Sequence, residues 1–386
     1  MKKIAIVLDE MSIGGIPKAC IPFLKQLVEY YNVTMLMRKT DGELMSQIPK
    51  QVRVRTIHHY VFRDALKKMI SEKKYHMIFT YVIPYLFWSK ICHRWVKANE
   101  MTARIMGEYV DGEWDCVIAY HGMSISQLVT TLYSVKAKKK VAWIHGDHPF
   151  DGVHKKDAES VYRKFDRIYC VSPSVRIRFL SDFPLTETIT DSYKNILESE
   201  IIREKSESEK LDFSKDCINL VTVGRVSQEK GQDMIPTVAK NLKEKGLNIC
   251  WYVVGDGDDM SRIRSLCKEN GVQEFVKLVG AKPNPYPYMR QCDIYVQPSY
   301  TEGYCLTVCE AAILHKPIVL TAIAAAGILE DGKNALVVEA DIEQLTVGIE
   351  ILVNNKEMQK SFVSELGKED FSNLDEMKKF HKFIEI

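Results

Sequence analysis

Two acidic residues in one short segment have the spacing that points most clearly to chemistry. Glu302 and Glu310 lie in TEGYCLTVCE, after the apolar run IYVQP that starts at Ile294. We expect Glu302 in a loop beside a bound anion and Glu310 on a helix, where its carboxylate can accept hydrogen bonds from two adjacent hydroxyls, as on a ribose. A surface loop with two solvated glutamates is the alternative.

The same segment predicts an anion site made of backbone. A helix that begins near Cys305 would turn its first N–H groups outward at the positive end of the helix dipole, where anions bind. A preceding glycine lets the chain approach a ligand closely. The residues predicted to bind this anion are Gly303, Tyr304, Cys305, Leu306 and Thr307.

The spacing of the two glutamates argues against a glycosidase pair. Such a pair needs carboxyl groups about 5–9.5 Å apart. Eight helical residues rise about 12 Å, which suits two ends of an extended ligand better than two faces of one bond. A loop that folds back would weaken this argument.

A basic loop is the second candidate. In VTVGRVSQEKGQD, Arg225 follows an apolar run and Lys230 comes five residues later. An arginine can bind two oxygens of a diphosphate and a lysine adds a point charge, so the pair could stabilise an anionic leaving group. Solvated loop charges are the alternative for this short pattern.

A glycine-rich turn follows the first apolar run of the chain. Gly14 and Gly15 precede Pro17, at a predicted helix start that could lie close to a phosphate or a sugar. A plain tight turn explains them equally well. The segment contains no GxGxxG dinucleotide-binding motif.

A histidine ends a predicted strand in the first half of the chain. His145, in KKVAWIHGDH, could contact sugar hydroxyls or the reacting centre, and a structural histidine is the alternative. His148 lies nearby, but the sequence shows no third ligand, so we expect no metal here.

Asp256 and Asp258 form a DxD sequence of the kind that can hold a metal under a nucleotide diphosphate. They end an apolar run and precede the helical pattern Met260–Asn270. We therefore predict loop and N-cap roles for them. Arg225 and Lys230 already supply the positive charge that a metal would give.

These candidates need a scaffold, and the chain alternates apolar runs with helical patterns. Continuous apolar strands between helices are typical of a parallel sheet covered on both faces. The first series of predicted strands is Ile4–Leu8, Val33–Met37, Val52–Ile57, His76–Thr80, Cys116–Tyr120, Val141–Ile144 and Arg167–Val171. The second series is Ile218–Val223, Ile249–Val254, Val276–Val279, Ile294–Gln297 and Ile318–Thr321.

The charged stretch Glu187–Lys215 separates the two series and predicts a polar helix or linker. We therefore predict an α/β protein with two doubly wound, Rossmann-like domains, 1–200 and 216–370. An amphipathic helix at about 371–386 would pack back on the first domain. The two domains would face each other across a cleft at the carboxyl ends of their strands.

Length and composition are those of a globular protein. The chain has 386 residues, 46% hydrophobic and 27% charged, which excludes disordered and fibrous classes. Ten cysteines without a CxxC motif fit a reducing compartment and exclude a zinc ribbon. No apolar run is long enough to span a bilayer, and the N-terminus reads as a first strand rather than a signal peptide.

Charge is unevenly distributed along the chain. Residues 1–200 hold 30 Lys and Arg against 22 Asp and Glu, a net charge of +8, although the whole chain is only +2. This basic half, with the aromatic residues Phe87, Trp88 and Trp95, predicts peripheral contact with an anionic membrane surface. A solvated basic face is the alternative. A pI of about 7.9 argues against nucleic-acid binding.

The segments discussed above resemble a family 4 retaining glycosyltransferase of the GT-B fold. The resemblance is strongest over about residues 218–340, through VTVGRVSQEKG, WYVVGDGDDMSRI, FVKLVGA, YMRQCDIYVQPSYTEGYCLTVCEAAILHKPIV and DGKNALVV. The first half matches weakly, through GGI, WIHGDH and DRIYCVSPSV.

The resemblance implies a retaining, metal-independent transferase without a cofactor, whose substrate is a nucleotide-sugar, with UDP as the expected nucleotide. Arg225 and Lys230 would hold the diphosphate, Glu302 the transferred sugar, and Glu310 the ribose. His145 would lie near the sugar and Gly15 near the diphosphate. The acceptor would be a glycan, lipid-linked or polymer hydroxyl in cell-surface polysaccharide synthesis.

Some positions depart from the family pattern. Cys305 and the pair His315-Lys316 replace usual glycines, and AAAGILEDG replaces a GGxPE-like segment. The identity of the sugar stays open. A nucleotide-sugar epimerase of the GT-B fold and a catalytically inactive partner subunit are the alternative functions. We expect a cytoplasmic protein, with the inner face of the membrane as a further location.

Overall fold

A computed structural model describes residues 1–57, 70–71, 73, 75–107, 110–146 and 149–385 of the chain, which divides into two units. Unit 1 consists of Met1–Ile196 together with Leu374–Ile386, and unit 2 of Leu197–Asn373.

Unit 1 contains a seven-stranded sheet in the order β3-β2-β1-β4-β5-β6-β7, and its strand pairs are parallel. The strands are β1 Lys3–Val7, β2 Asn32–Met37, β3 Arg53–Thr56, β4 Val110–Ala119, β5 Val135–Ile144, β6 Arg167–Cys170 and β7 Thr190–Ser192. The order reverses direction between β1 and β4, which is the topological switch point of a doubly wound sheet.

The described helices of unit 1 alternate with these strands. They are α1 Gly15–Tyr30, α2 Tyr75–Leu86, α3 Trp95–Met106, α4 Ile125–Tyr133, α5 Gly152–Tyr162 and α6 Pro173–Asp182. A π-helical turn, Phe87–Ile91, continues α2.

The interior of unit 1 includes an aromatic cluster. Phe23 packs against Trp143, with ring centroids 4.8 Å apart, and Trp143 packs against Tyr193 at 4.6 Å. Phe380, on the C-terminal helix, lies edge-on to Phe23 at 5.6 Å. This helix therefore belongs to unit 1, and the cluster joins residues from both ends of the chain.

Unit 2 contains a six-stranded parallel sheet in the order β10-β9-β8-β11-β12-β13. The strands are β8 Ile218–Val223, β9 Ile249–Val254, β10 Val276–Gly280, β11 Ile294–Gln297, β12 Ile318–Thr321 and β13 Leu336–Val338. Its switch point lies between β8 and β11.

The helices of unit 2 cover this sheet. They are α7 Ser199–Ser206, α8 Ile235–Glu244, α9 Met260–Glu269, α10 Tyr286–Gln291, α11 Leu306–Ile313, α12 Ala322–Ala325, α13 Ile342–Asn354 and α14 Lys356–Leu366. The C-terminal helix α15, Glu376–Glu385, follows in unit 1. The core of unit 2 is mostly aliphatic and includes the fully buried Trp251.

The prediction of two doubly wound parallel sheets is confirmed, and all the predicted strands but one overlap observed strands. The predicted strand His76–Thr80 is wrong, because these residues lie within α2. An apolar run of this length does not by its pattern distinguish a strand from a helix. Within the described residues, no helix has both the length and the apolar character needed to cross a membrane.

Candidate active site

Two loops meet at the carboxyl edge of the unit 2 sheet, one after β8 and one after β11. The backbone N–H groups of Tyr300 and Thr301 both donate to the carbonyl oxygen of Glu229, at 2.9 and 3.1 Å. A Cβ atom at Gly231, where φ is +65°, would lie 2.0 Å from the carbonyl oxygen of Pro298. The left-handed backbone and this close approach both require a glycine, which allows the loops to pack together.

The packing of these loops brings Lys230 and Glu302 together. Lys230 Nζ lies 2.8 Å from Glu302 Oε2, and the two side chains are only 21% and 6% exposed. Burial acts to lower the pKa of Lys230, but the Glu302 carboxylate and other nearby groups outweigh burial and raise it. Lys230 is therefore a fixed positive charge at the switch point of the sheet.

Arg225 occupies a different environment from Lys230. Its side chain is 71% exposed, and its Nη2 atom lies 3.1 Å from Glu229 Oε1. The structure thus pairs each of the two predicted cations with a separate carboxylate. An exposed pair of this kind contributes little to stability.

Helix α11 begins where the sequence predicts, with Cys305 as its N-cap residue. Cys305 is buried, and its Sγ atom lies 3.4 Å from Glu302 Oε1. The hydroxyl of Tyr304, also buried, accepts a hydrogen bond from Asn373 at 2.9 Å. Leu306 and Thr307 form the first turn of the helix, where N–H groups have no acceptor within the helix itself.

Glu310 lies on the next turns of α11 and is 2% exposed. Tyr286, on α10, donates its hydroxyl hydrogen to Glu310 Oε1 at 3.2 Å. Burial and the adjacent carboxylate raise the pKa of this phenol far above its usual value. Tyr286 therefore stays a neutral donor that holds one carboxylate oxygen of Glu310.

Gly14 and Gly15 lie in unit 1 at the start of α1. Gly14 is the N-cap residue, with extended backbone, and Gly15 is the first helical residue. A Cβ atom added to Gly15 would have no heavy atom within 4 Å. Packing within the chain therefore does not require a glycine at this position.

His145 follows β5 in unit 1, and its ring centroid lies 4.8 Å from that of Tyr120. Burial, with a smaller contribution from His121, lowers the pKa of His145 to about 3. The imidazole is therefore neutral near pH 7 and suits hydrogen bonds with hydroxyl groups rather than an ion pair. His148 lies outside the described residues.

The DxD sequence forms a local turn in unit 2. Asp256 Oδ1 accepts a hydrogen bond from the N–H of Gly257 at 2.8 Å, and Asp259, rather than Asp258, is the N-cap residue of α9. Among the residues described in the structure, no three His, Cys, Asp or Glu side chains are grouped as metal ligands would be.

The segment that contains this arrangement matches a known family. Residues 203–368 fit the family model described as glycosyl transferases group 1. The chain contains a glycosyl transferases group 1 domain. This domain coincides with most of unit 2 and includes Arg225, Lys230, Glu302 and Glu310.

Curated relatives of the domain include glycosyltransferases from several organisms. The chain is 28% identical over 195 residues to the phosphatidylinositol N-acetylglucosaminyltransferase GPI3 subunit of Saccharomyces cerevisiae, an alignment covering 50% of this chain and 42% of the yeast protein. It is 25% identical over 146 residues to an N-acetylgalactosaminyltransferase of Campylobacter jejuni that acts on a diphospho-undecaprenol substrate, covering 37% and 39%. The chain thus spans less than half the length of each relative.

Solved structures resemble the whole chain. Anabaena HepE, in complex with UDP and glucose, superposes with a TM-score of 0.73 at 14% identity over 100% of both chains. WaaG, a glycosyltransferase involved in lipopolysaccharide biosynthesis, superposes with a TM-score of 0.63 at 14% identity over 97% of this chain and 98% of its own. The predicted GT-B fold is thereby confirmed.

In this glycosyl transferases group 1 domain, the structure brings together two residues that the sequence suggested separately. Lys230 and Glu302 share a hydrogen bond, although 72 residues separate them. Three neighbours were missed: Tyr286 beside Glu310, and Ser299 and Gln297 behind Glu302. The only sequence signal for Ser299 and Gln297 was their position at the end of a predicted strand.

Proposed function

We propose that this protein is a retaining glycosyltransferase that transfers a sugar from a UDP-sugar to an acceptor hydroxyl without a divalent metal. The observation that carries the proposal is the buried Lys230–Glu302 pair at the switch point of a glycosyl transferases group 1 domain. The complexes of HepE with UDP and with UDP-glucose support UDP as the nucleotide.

The diphosphate is assigned to Lys230, Arg225 and the start of α11. An ammonium group has three N–H donors, so the bond from Lys230 to Glu302 can coexist with bonds to two diphosphate oxygens. The exposed Arg225 can turn its guanidinium onto a second phosphate group. The segment Gly303–Cys305, which leads into α11, and the first helical residues Leu306 and Thr307 add backbone N–H donors and the positive end of the helix dipole.

The sugar and the ribose of the donor are assigned to two carboxylates and to a neutral side chain. Glu310, held by Tyr286, accepts hydrogen bonds from the ribose hydroxyls, and Glu302 contacts the transferred sugar. For unit 1, we assign sugar hydroxyls to the neutral His145 and the diphosphate to the turn at Gly14 and Gly15. The positive charges of the donor site thus belong to unit 2.

In the proposed reaction, the bond between the anomeric carbon and the diphosphate oxygen breaks, and UDP leaves with the electron pair. Lys230 and Arg225 stabilise the negative charge that develops on the leaving group. The acceptor oxygen attacks the oxocarbenium-like carbon from the same face, and its proton passes to a diphosphate oxygen. The products are UDP and a glycoside of unchanged anomeric configuration.

The acceptor is proposed to be a glycan, a lipid-linked sugar or a polymer used in cell-surface polysaccharide synthesis, modified by a cytoplasmic enzyme. The names of the yeast and Campylobacter relatives, which include a phosphatidylinositol and a diphospho-undecaprenol, support a lipid-linked acceptor.

We also propose that unit 1 contacts an anionic membrane surface, through a set of residues that keeps Phe87 from the sequence prediction and leaves out Trp88 and Trp95. Trp95 packs against Phe150 and His154, and Lys97 Nζ lies 3.7 Å from the centre of the Trp88 ring. Apolar side chains spaced along α2 and the following π-helical turn are instead exposed: Phe79, Ile83, Leu86, Phe87 and Ile91. Lys90, at the end of this exposed stripe, supplies positive charge.

Sedimentation with vesicles tests the membrane proposal. The wild-type protein should bind vesicles containing anionic phospholipid more strongly than neutral vesicles, and Phe79→Ser with Ile83→Ser should lose about 10-fold or more in partition. Ile177→Ser, which changes an equally exposed side chain on α6, is the matched control. Equal binding of neutral and anionic vesicles would contradict the proposal.

A panel of UDP-sugars in EDTA tests the enzymatic proposal. One UDP-sugar should raise the melting temperature by mass action. The same UDP-sugar should release UDP when acceptors are supplied, and NMR of the product should show retained configuration. Conversion of the sugar without an acceptor would indicate an epimerase, binding without turnover would indicate an inactive partner subunit, and either result would contradict the proposal.

A further inference from the structure

Both carboxylate oxygens of Glu302 accept hydrogen bonds from side chains of unit 2. Lys230 donates to Oε2 at 2.8 Å, and Ser299 donates its Oγ hydrogen to Oε1 at 2.8 Å. Ser299 is fully buried. The carboxylate is therefore held by Lys230 on one oxygen and by Ser299 on the other, where the Cys305 thiol, 3.4 Å away, is a longer third contact.

The hydroxyl hydrogen of Ser299 points toward Glu302 because Gln297 donates a hydrogen bond to the Ser299 oxygen. The hydroxyls of Tyr295 and Thr307 both donate to Gln297 Oε1, at 2.7 and 3.2 Å. The amide NH₂ faces the other way and donates to Ser299 Oγ at 2.8 Å. A serine hydroxyl has one hydrogen, so Ser299 directs it at Glu302.

Ser299 and Glu302 lie in the loop after β11, but the side chains that hold Ser299 belong to or border regular structure. Tyr295 and Gln297 belong to β11, and Thr307 belongs to the first turn of α11. Thr321, at the end of β12, donates to the carbonyl oxygen of Ser299 at 2.7 Å. The buried hydrogen bonds thus tie the two strand ends and the helix start to one carboxylate.

We propose that Ser299 and Gln297 are positioning residues that orient the Glu302 carboxylate for catalysis. The inference rests on the proposed function, in which Glu302 contacts the transferred sugar. Neither residue needs to touch the substrate. Their effect is to hold Glu302 in one rotamer while Lys230 binds the diphosphate, because a carboxylate that rotates freely would spend less time in the productive position.

The kinetic test is a double-mutant cycle between Ser299 and Glu302. Ser299→Ala in the wild-type background should lower kcat about 10-fold and leave the dissociation constant for UDP within about twofold. In the Glu302→Ala background the same substitution should change kcat less than about twofold, because the carboxylate it positions is gone. Equal losses in both backgrounds, or an unchanged kcat in the single variant, would overturn the inference.

A crystal structure of the Ser299→Ala variant provides a test that does not depend on activity. The Glu302 carboxylate should shift or occupy a second rotamer, and an unmoved carboxylate would overturn the inference. Gln297→Glu is the second variant, since it keeps acceptors for Tyr295 and Thr307 but has no N–H to donate to Ser299. If the wild-type protein used no nucleotide-sugar, the proposed function would fail while these structures still decided the positioning role.

Discussion

The two units share one strand order but differ in what their interiors hold. Each sheet reverses direction next to its first strand, at β1 and at β8. Unit 1 buries an aromatic cluster that includes Phe23, Trp143 and Phe380. Unit 2 surrounds its buried carboxylates with hydrogen bonds at one edge of its sheet. The comparison shows that a single topology can be stabilised by apolar contacts in one unit and can hold a polar site in the other.

The two regions also differ in which parts of the chain they bring together. The contacts around Glu302 use two loops and one helix of unit 2, whereas the aromatic cluster of unit 1 depends on a helix from the end of the chain. We therefore expect substitutions in the cluster to affect stability first and substitutions near Glu302 to affect activity first. Four predictions test this contrast and are given in decreasing order of expected effect.

Removal of the Phe380 ring should give the largest effect. Phe380→Ala deletes a fully buried side chain from the aromatic cluster, and we expect a loss of about 3–5 kcal/mol in the free energy of unfolding of unit 1. Urea denaturation followed by tryptophan fluorescence measures this loss. Ile177→Ala, at an exposed position, should change it by less than about 0.5 kcal/mol. A similar small change for Phe380→Ala would contradict the role of the cluster.

Removal of the Lys230 charge should lower the catalytic efficiency. Lys230→Met should lower kcat/KM by about 100-fold, since a buried donor to an anionic leaving group is lost. Lys245→Met is the matched control because Lys245 pairs with Glu350, at 2.6 Å, away from the two site loops. Steady-state UDP release measures both, with circular dichroism to verify folding. Near-normal turnover of Lys230→Met would contradict the assigned role.

The neutral state of His145 should make stability depend on pH. The folded protein holds the pKa of His145 at about 3, below its ordinary value of 6.5, so unfolding takes up a proton below pH 6.5. Stability contributed by the neutral ring is present above pH 6.5 and is lost as the pH falls. We expect a loss of about 1 kcal/mol between pH 6.5 and 5.5 in urea titrations. His145→Asn should flatten this dependence, and an unchanged slope would refute the prediction.

Replacement of His315 by glycine, which relieves backbone strain at one position, should give the smallest effect. His315 has φ of +50°, in the left-handed region, just after α11. A glycine adopts this conformation without the steric penalty, although it gains entropy in the unfolded chain. His315→Gly should therefore stabilise unit 2 by about 0.5 kcal/mol in urea titrations. A loss of stability would show that the contacts of the imidazole outweigh the backbone strain.

The sequence predicted the sheets better than the site. Apolar runs such as Ile218–Val223 were correctly predicted as strands, because short runs rich in β-branched side chains between helical patterns are typical of buried parallel strands. The apolar run around Phe79 was wrongly predicted as a strand, since its pattern alone does not separate strand from helix. Polar β7 and the three-residue β13 gave no comparable signal.

Within the site, single residues were easier to predict than their partners. Lys230 and Glu302 were identified by type and by position after a strand, but their mutual hydrogen bond depends on how two distant loops pack. Ser299 and Gln297 have ordinary side chains for a strand end. Their relation to Glu302 arises from the direction of buried hydrogen bonds, which no sequence pattern records.

Calorimetric titration of UDP in EDTA measures whether the fixed charge of Lys230 holds the diphosphate without a metal. Lys230→Ala removes this charge, and its dissociation constant for UDP should be at least about 10-fold higher than that of the wild-type protein. Lys245→Met should bind UDP as the wild type does. Equal binding by the wild-type and Lys230→Ala proteins, or binding that requires added magnesium, would contradict this role of Lys230.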